Sequence, residues 1–233
     1  MSDALFSDSF LERPRVELAP GATHVPGWLT ADQQRWIVAR FHEWANGPVP
    51  LRGAKVRGHE MSVKTVCLGW HWRPYEYSRD AVDVNGNRVL DFPDWMVRMG
   101  RAALVEATGD PRAGDDYTPD TALVNFYDET AHMGMHQDKD ETSLAPVVSI
   151  SIGDSCQFRF GNTTNRNKPY TDITLASGDL FVFGGPSRLA YHGVTKIHPG
   201  TAPDDCGLGP SGGSTTGTSA GRINITLRET GLS

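Results

Sequence analysis

From about residue 120 onward the chain is a succession of short stretches rich in β-branched and aromatic residues, each cut off by glycine, asparagine, aspartate or proline. The pattern predicts strands at Thr121–Tyr127, Val147–Gly153, Cys156–Gly161, Asp172–Leu175, Asp179–Gly184, Leu189–Val194 and Arg222–Arg228. Many short strands in series, with no room for crossover helices between them, restrict the fold to a sandwich, barrel or jelly roll. No internal repeat is visible. Residues 199–221 are rich in Gly, Ser, Thr and Pro. They read as a flexible loop too polar to pack, set between the last two strands.

The first third is mixed. Thr30 precedes ADQQRWIVARFHEWANG, an N-capped helix that sets Trp36, Ile37, Phe41 and Trp44 near one face and stops at Gly47-Pro48. Residues 51–84 contain short strand-like stretches and end in a turn at Asn85-Gly86-Asn87. A second helix is expected from Pro93 to about Thr108, with Gly109 as its stop. Both helices are expected to pack on a sheet. The fold class is therefore mainly β with flanking helices (α+β), and 233 residues suit one domain better than two.

Bulk properties exclude several classes. No apolar run approaches the roughly 20 residues that span a bilayer. The N-terminal MSDALFSDSFLERPR lacks the basic and apolar regions of a secretory signal, so a cytoplasmic location is expected. Cys67, Cys156 and Cys206 are odd in number and widely spaced. They read as reduced thiols, with no Cys-x-x-Cys to hold zinc. The net charge of −6 does not advertise a nucleic-acid binder. Its distribution is uneven, however: residues 52–79 hold six basic side chains (Arg52, Lys55, Arg57, Lys64, Arg73, Arg79) against two acids (Glu60, Glu76).

Chemistry enters at His136-Gln137-Asp138. In extended backbone, residues two apart project from one face. With a distant second histidine, such a pair forms a 2-His-1-carboxylate facial triad that leaves three iron positions open. His-x-Asp alone is a weak signal. His192, in RLAYHGV, supplies the second imidazole. His132 is a rival, since His132 and His136 have the i, i+4 spacing of a helical zinc site. Gly134 between them and the acidic stretch that follows argue against a helix. The segment RINITLR, as a strand, places Arg222, Asn224, Thr226 and Arg228 on one face and Ile223, Ile225 and Leu227 on the other. Two arginines facing one cavity suit a dicarboxylate, because a guanidinium binds a carboxylate through paired, directional hydrogen bonds.

LVNFYDETAHMGMHQDKDE, VVSISIG, CQFRFG, SGDLFVFGG, SRLAYHGV and RINITLR resemble successive motifs of the AlkB family of nucleic-acid dealkylating dioxygenases. The resemblance covers roughly residues 60–230. It implies a double-stranded β-helix (jelly-roll) core over about 120–230, preceded by a nucleotide-recognition segment at about 50–92. It also implies Fe(II) at His136, Asp138 and His192, and 2-oxoglutarate held by Arg222 and Arg228 with Asn125, Tyr127 and Asn224. MSVKTVCLGWHWRPYEYS is similar to the family's recognition segment. By position, Trp70 would stack on a flipped base, Tyr75 and Tyr77 would contact base or backbone, and Asp140 would meet the base edge. Arg166 would contact substrate, and the basic residues of 52–79 would attract phosphates. The long Gly/Ser-rich loop and a shortened approach to Trp70 depart from the family pattern and bear on substrate choice.

The implied activity is oxidative demethylation of N1-methyladenine and N3-methylcytosine in DNA or RNA, with O2 as co-substrate and succinate, CO2 and formaldehyde as products. Single strands are expected to be favoured over duplex, because flipping the base is then cheaper. The chain is expected to act as a monomer, with no obligate protein partner. Two alternatives stay open: a small-molecule or protein hydroxylase on the same core, and a non-catalytic binding module.

Overall fold

The computed structural model describes residues 13–56, 58–208 and 220–232. The expectations for the N-terminal 12 residues, for Arg57 and for the 209–219 part of the loop fall outside these. The chain opens with the hairpin β1 (Val16–Ala19) and β2 (Ala22–Val25), then the helix α1 (Ala31–Ala45). Four strands follow: β3 (Arg52–Val56), β4 (His59–Leu68), β5 (His71–Arg73) and β6 (Glu76–Ser78). Helix α2 (Asp94–Thr108) leads into β7 (Thr121–Tyr127), β8 (Met133–His136), β9 (Val147–Gly153) and β10 (Ser155–Gly161). The series closes with β11 (Tyr170–Leu175), β12 (Leu180–Phe183), β13 (His192–His198) and β14 (Arg222–Arg228).

The strands form an eight-stranded sheet, β1-β2-β12-β9-β14-β7-β4-β3, and a four-stranded sheet, β11-β10-β13-β8. A separate ribbon pairs β5 with β6. The architecture is the expected jelly roll. Side-chain alternation along the central strands builds its layers. Ala122, Val124 and Phe126 of β7, Val148, Ile150 and Ile152 of β9, and Ile223, Ile225 and Leu227 of β14 face the helices in one apolar cluster. The alternate residues face the smaller sheet. There Phe181 and Phe183 of β12 meet Phe158 and Phe160 of β10, with ring centroids 5.0–5.7 Å apart for three of these pairs.

Each helix forms for local reasons. Thr30 closes a capping box on α1: its hydroxyl accepts from the Gln33 amide, and the Gln33 side chain accepts from the Thr30 amide. Ile37, Phe41 and Trp44 are buried, and Phe41 stacks on Phe126 at 5.8 Å. Burying one such phenyl ring contributes about 1.5–3 kcal/mol. Trp36 lies off that face, 48% exposed, with its ring edge against Trp95 of α2. Gly109 ends α2 at φ 76°, its amide returning to the Val105 carbonyl.

Three expectations need correcting. The predicted strand at Leu189–Val194 is displaced to His192–His198, because residues 184–190 turn tightly: Ser187, Arg188 and Ala190 amides bond to Gly184, Gly185 and Ser187 carbonyls. Strand β8 (Met133–His136) is absent from the expected strands. The loop from 199 is not free up to 208, since Cys206 and Leu208 are buried in the helix-side core and Thr201 is anchored to Asp154. The three cysteines are free and buried. No described helix is long and apolar enough to cross a membrane.

Candidate active site

Strand pairing brings the metal-ligand candidates together. Register between β8 and β13 sets His136 directly opposite His192, with ring centroids 4.5 Å apart. Asp138 follows β8 by two residues. Its Oδ1 lies 3.5 Å from His136 Nε2 and its Oδ2 lies 3.6 Å from His192 Nε2. The three candidate donor atoms all lie within 4.8 Å of one another. The tautomers follow from the partners. His136 Nδ1 is 2.9 Å from the Gly134 carbonyl, and His192 Nδ1 is 3.0 Å from the Ala190 carbonyl. A carbonyl only accepts, so each Nδ1 donates its proton and each Nε2 keeps a lone pair turned toward Asp138. The arrangement excludes the helical zinc alternative, since His132 lies in no helix and takes no part in the cluster.

The electrostatics suit a cation. Burial alone would raise the Asp138 carboxyl, but the Arg228 guanidinium and both histidines outweigh it and hold it ionised, well below the usual range. Burial pushes His192 down to about 4, against the pull of Asp138, so its imidazole is neutral at physiological pH. Asp138 Oδ2 is buried without a hydrogen-bond partner. Arg228 Nη2 stands 2.8 Å away, close enough for charge attraction but outside hydrogen-bond geometry. Two imidazoles with their Nε2 atoms toward one orphaned carboxylate oxygen fit Fe(II) with open positions for other ligands.

The inner face of β14 continues the site. A cavity of about 590 Å³ is lined by His136, Asp138 and His192, and also by Asn125, Tyr127, Asn224, Thr226 and Arg228. Asn224 pairs with Asn125 across the β14–β7 register and donates to Ser149 Oγ at 2.8 Å, which fixes its amide. Thr65 donates to Asn125 Oδ1 at 2.7 Å. Arg222 does not reach the cavity wall. It is 1% exposed, donates to Ser151 Oγ at 2.8 Å and lies 5.4 Å from the Tyr127 ring centre, while its Nε and Nη1 have no partner. Two unpaired guanidinium donors behind the cavity are a standing demand for an anion.

Arg228 is already engaged. It donates to Glu141 Oε1 at 3.0 Å and to the Tyr77 hydroxyl at 3.3 Å, and Tyr77 itself donates to Glu141 Oε1 at 2.6 Å. Arg188 completes the group, donating to Glu141 Oε2 at 3.1 Å and to the carbonyls of Asp138 and Ala145. Glu141 and Arg188 were missed in the sequence, where nothing local marks them as buried.

The recognition residues divide. Tyr75, Asp140 and Arg166 line the cavity, Tyr75 at φ 74° and 68% exposed. Trp70 does not: it is 8% exposed, its indole N–H donates to Asp120 at 3.0 Å, and the Arg79 guanidinium covers its ring at 3.7 Å. Trp72 lines the cavity instead. Tyr77 also turns inward, into the Glu141–Arg228 group, and is no part of the wall. Of the basic segment, Arg52 is spent on the Thr65 carbonyl and His71, and Arg79 on the Gly69 carbonyl, so neither is a free phosphate contact.

Jelly roll, His-Asp-His cluster and a cation-lined co-substrate cavity together describe a non-haem iron oxygenase site. Residues 21–228 match the model of the 2OG-Fe(II) oxygenase superfamily. The chain is 37% identical to an alpha-ketoglutarate-dependent dioxygenase AlkB homolog of Caulobacter vibrioides, covering 91% of this chain and 89% of that one. It is 35% identical to alpha-ketoglutarate-dependent dioxygenase AlkB of Escherichia coli over 75% of this chain and 74% of that protein. DNA N(6)-methyladenine demethylase ALKBH1C of Arabidopsis thaliana is 31% identical over 91% of this chain, which spans only 49% of that protein. The solved structure of OsALKBH1 superimposes with a TM-score of 0.79 at 30% identity, covering 93% of this chain and 100% of that one. The chain belongs to the AlkB family of the 2OG-Fe(II) oxygenases.

Proposed function

We propose that this protein is an Fe(II)- and 2-oxoglutarate-dependent demethylase of N-alkylated nucleic-acid bases. The observation that carries the reading is the convergence of His136, Asp138 and His192 with Asn125, Tyr127, Asn224 and Arg228 on one cavity. Fe(II), when bound with 2-oxoglutarate, would supply O2-driven hydroxylation of an N-methyl carbon, whose product sheds formaldehyde. The residues supply the rest. His136 and His192 turn their Nε2 atoms toward Asp138 because backbone carbonyls hold their Nδ1 atoms. Asp138 stays ionised beside Arg228, so the ligand set needs no proton release at the carboxylate. Arg222 offers two unpaired donors and Arg228 a positive charge to a dicarboxylate. Asp140, at the cavity wall, offers a carboxylate to an exocyclic amino group.

One relative named above, ALKBH1C, is called a DNA N(6)-methyladenine demethylase, and a further relative, of Schizosaccharomyces pombe, is named tRNA demethylase abh1. The proposed substrates here are N1-methyladenine and N3-methylcytosine in single-stranded DNA or RNA, handled by a cytoplasmic monomer. The test is an anaerobic, iron-loaded assay to which O2 is admitted with 2-oxoglutarate and single-stranded oligonucleotides bearing N1-methyladenine, N3-methylcytosine or N6-methyladenine. Succinate, formaldehyde and restored base in equal amounts support the reading. Succinate without formaldehyde from any of the oligonucleotides would leave an oxygenase with another substrate.

A further inference from the structure

Trp70 and Trp72 lie two apart, and simple alternation would aim both the same way. Trp70, however, lies in the bend at 69–70, ahead of β5, and does not share that strand's alternation. Gly69 turns the chain there at φ 78°, where a Cβ would stand 2.0 Å from the Asp120 carbonyl oxygen, so only glycine allows the close approach. Trp70 then falls against Asp120, which is itself held by the Thr230 amide and hydroxyl, while Arg79 occupies its ring face. Neither its edge nor that face is free for a ligand.

Trp72 stands in the cavity wall, half-buried, on the ribbon of β5 and β6. Its register partner across that ribbon is Tyr77. The pair reaches two consecutive acids. The Trp72 indole N–H donates to Asp140 Oδ2 at 2.9 Å, and the Tyr77 hydroxyl donates to Glu141 Oε1 at 2.6 Å. Glu141 is locked in turn by Arg188 and Arg228. Both acids lie within three residues of Asp138, so the ribbon is pinned at two points to the segment that carries a metal ligand.

We propose that Trp72, not Trp70, is the stacking face for the extruded base, and that Asp140 and Glu141 staple its ribbon to the Asp138 segment so that the base is held at a fixed height over the metal site. The inference rests on the nucleic-acid reading above. An indole pinned by its N–H cannot swing away, so its plane is set before substrate arrives, and a pre-set surface loses less conformational freedom on binding. Asp140 thereby takes two tasks. One oxygen holds Trp72, and the other is left for the base edge.

The test is fluorescence anisotropy with a labelled single-stranded oligonucleotide carrying one N1-methyladenine, against the unmodified strand, with Fe(II) and 2-oxoglutarate present and O2 excluded. Wild type is expected to prefer the methylated strand. Trp72→Ala should weaken methylated-strand binding about 5- to 150-fold, the range for loss of one base–aromatic stack. Trp72→Phe should recover only part of it, because the ring face returns without the N–H that Asp140 holds. Trp70→Phe should stay within about twofold of wild type, since by this account that ring stacks on no base. Full affinity in Trp72→Ala, or a loss that follows Trp70→Phe instead, overturns the assignment. A wild type with no preference for the methylated strand overturns the nucleic-acid reading and takes this inference with it. If Trp72→Ala does not melt cooperatively, Trp72→Phe carries the test, since it frees the ring from Asp140 and leaves that carboxylate for the base edge. It should weaken binding roughly 10-fold, in line with one hydrogen bond to a charged group, and unchanged binding would refute the staple.

Discussion

Glu141 is the residue whose removal should cost this fold most per atom lost. Its carboxylate is completely buried and takes hydrogen bonds from Tyr77, Arg228 and Arg188. Truncation in Glu141→Ala leaves Arg188 with only two backbone carbonyls and Arg228 with Asp138 and the Tyr77 hydroxyl, so one buried guanidinium loses its carboxylate and the other loses one of two. Breaking a buried pair in this way costs about 3–5 kcal/mol. For a chain of this size each kcal/mol moves Tm by about 2–4 °C, so a drop of roughly 6–20 °C is expected. Glu141→Gln keeps the shape and one acceptor, and should lose only about 1–3 kcal/mol. Burial pushes the Glu141 carboxyl up, but Arg228 and the Tyr77 hydrogen bond push it further down, so its folded value lies below the unfolded one. The stabilisation is therefore complete above the ordinary carboxyl value of about 4.3 and is lost as pH falls through the depressed folded value. The gap between wild type and Glu141→Gln should be widest near pH 7 and should close in acid. Circular-dichroism melts of the three proteins at pH 7 and at a pH well below the ordinary carboxyl value measure both effects. A Glu141→Ala protein melting within 2 °C of wild type at pH 7 would refute the account of the network.

Other outcomes follow from single contacts. Anaerobic Mn(II) at about 100 times its Kd should stabilise wild type by about 2.7 kcal/mol and raise Tm by roughly 5–10 °C; His192→Ala should show no such rise in the same melt. Arg222→Lys should raise the KM for 2-oxoglutarate about 10- to 150-fold, because a lysine cannot replace the two donors that Arg222 leaves unpaired; an unchanged KM would remove Arg222 from the co-substrate site. Asp179 is buried and accepts from both Arg13 Nη atoms, from His24 and from two backbone amides, so Asp179→Ala should cost about 3–5 kcal/mol in a urea melt without moving the oligonucleotide KM.

What the sequence disclosed depended on how local the cause was. The N-cap at Thr30, the glycine stop at Gly109 and the alternation of β14 are written within seven residues or fewer, and each was legible. The His136, Asp138 and His192 grouping was legible only because two weak signals and a paired-arginine strand fell in an order that made sense together. Strand β8 escaped because four residues between a turn and an acidic stretch carry almost no pattern; its pairing with β13 creates it. Trp70 was chosen by position in a motif, whereas the structure sets it in the bend before β5 and puts Trp72 in the cavity wall. The dual duty of Arg228 was hidden for a similar reason. Its partners Tyr77 and Glu141 are 151 and 87 residues away, and no spacing rule reaches that far. Cys206 and Leu208 were submerged in a polar stretch whose average composition says nothing of two residues that pack.

The position of β14 has a consequence for how such a chain is made. It follows every other described strand in the sequence, yet it lies at the middle of the large sheet, hydrogen-bonded to β7 on one side and β9 on the other. During synthesis, β7 and β9 must wait with facing edges unpaired while the intervening chain emerges. Such edges are open to pairing with the wrong partner, and long-range closure is slow. The strand that finally fills the slot also carries Arg222, Asn224 and Arg228. A nascent chain that lacks it therefore lacks both a finished sheet and the residues proposed above to grip a dicarboxylate, so the sheet and the proposed co-substrate site are completed in the same step.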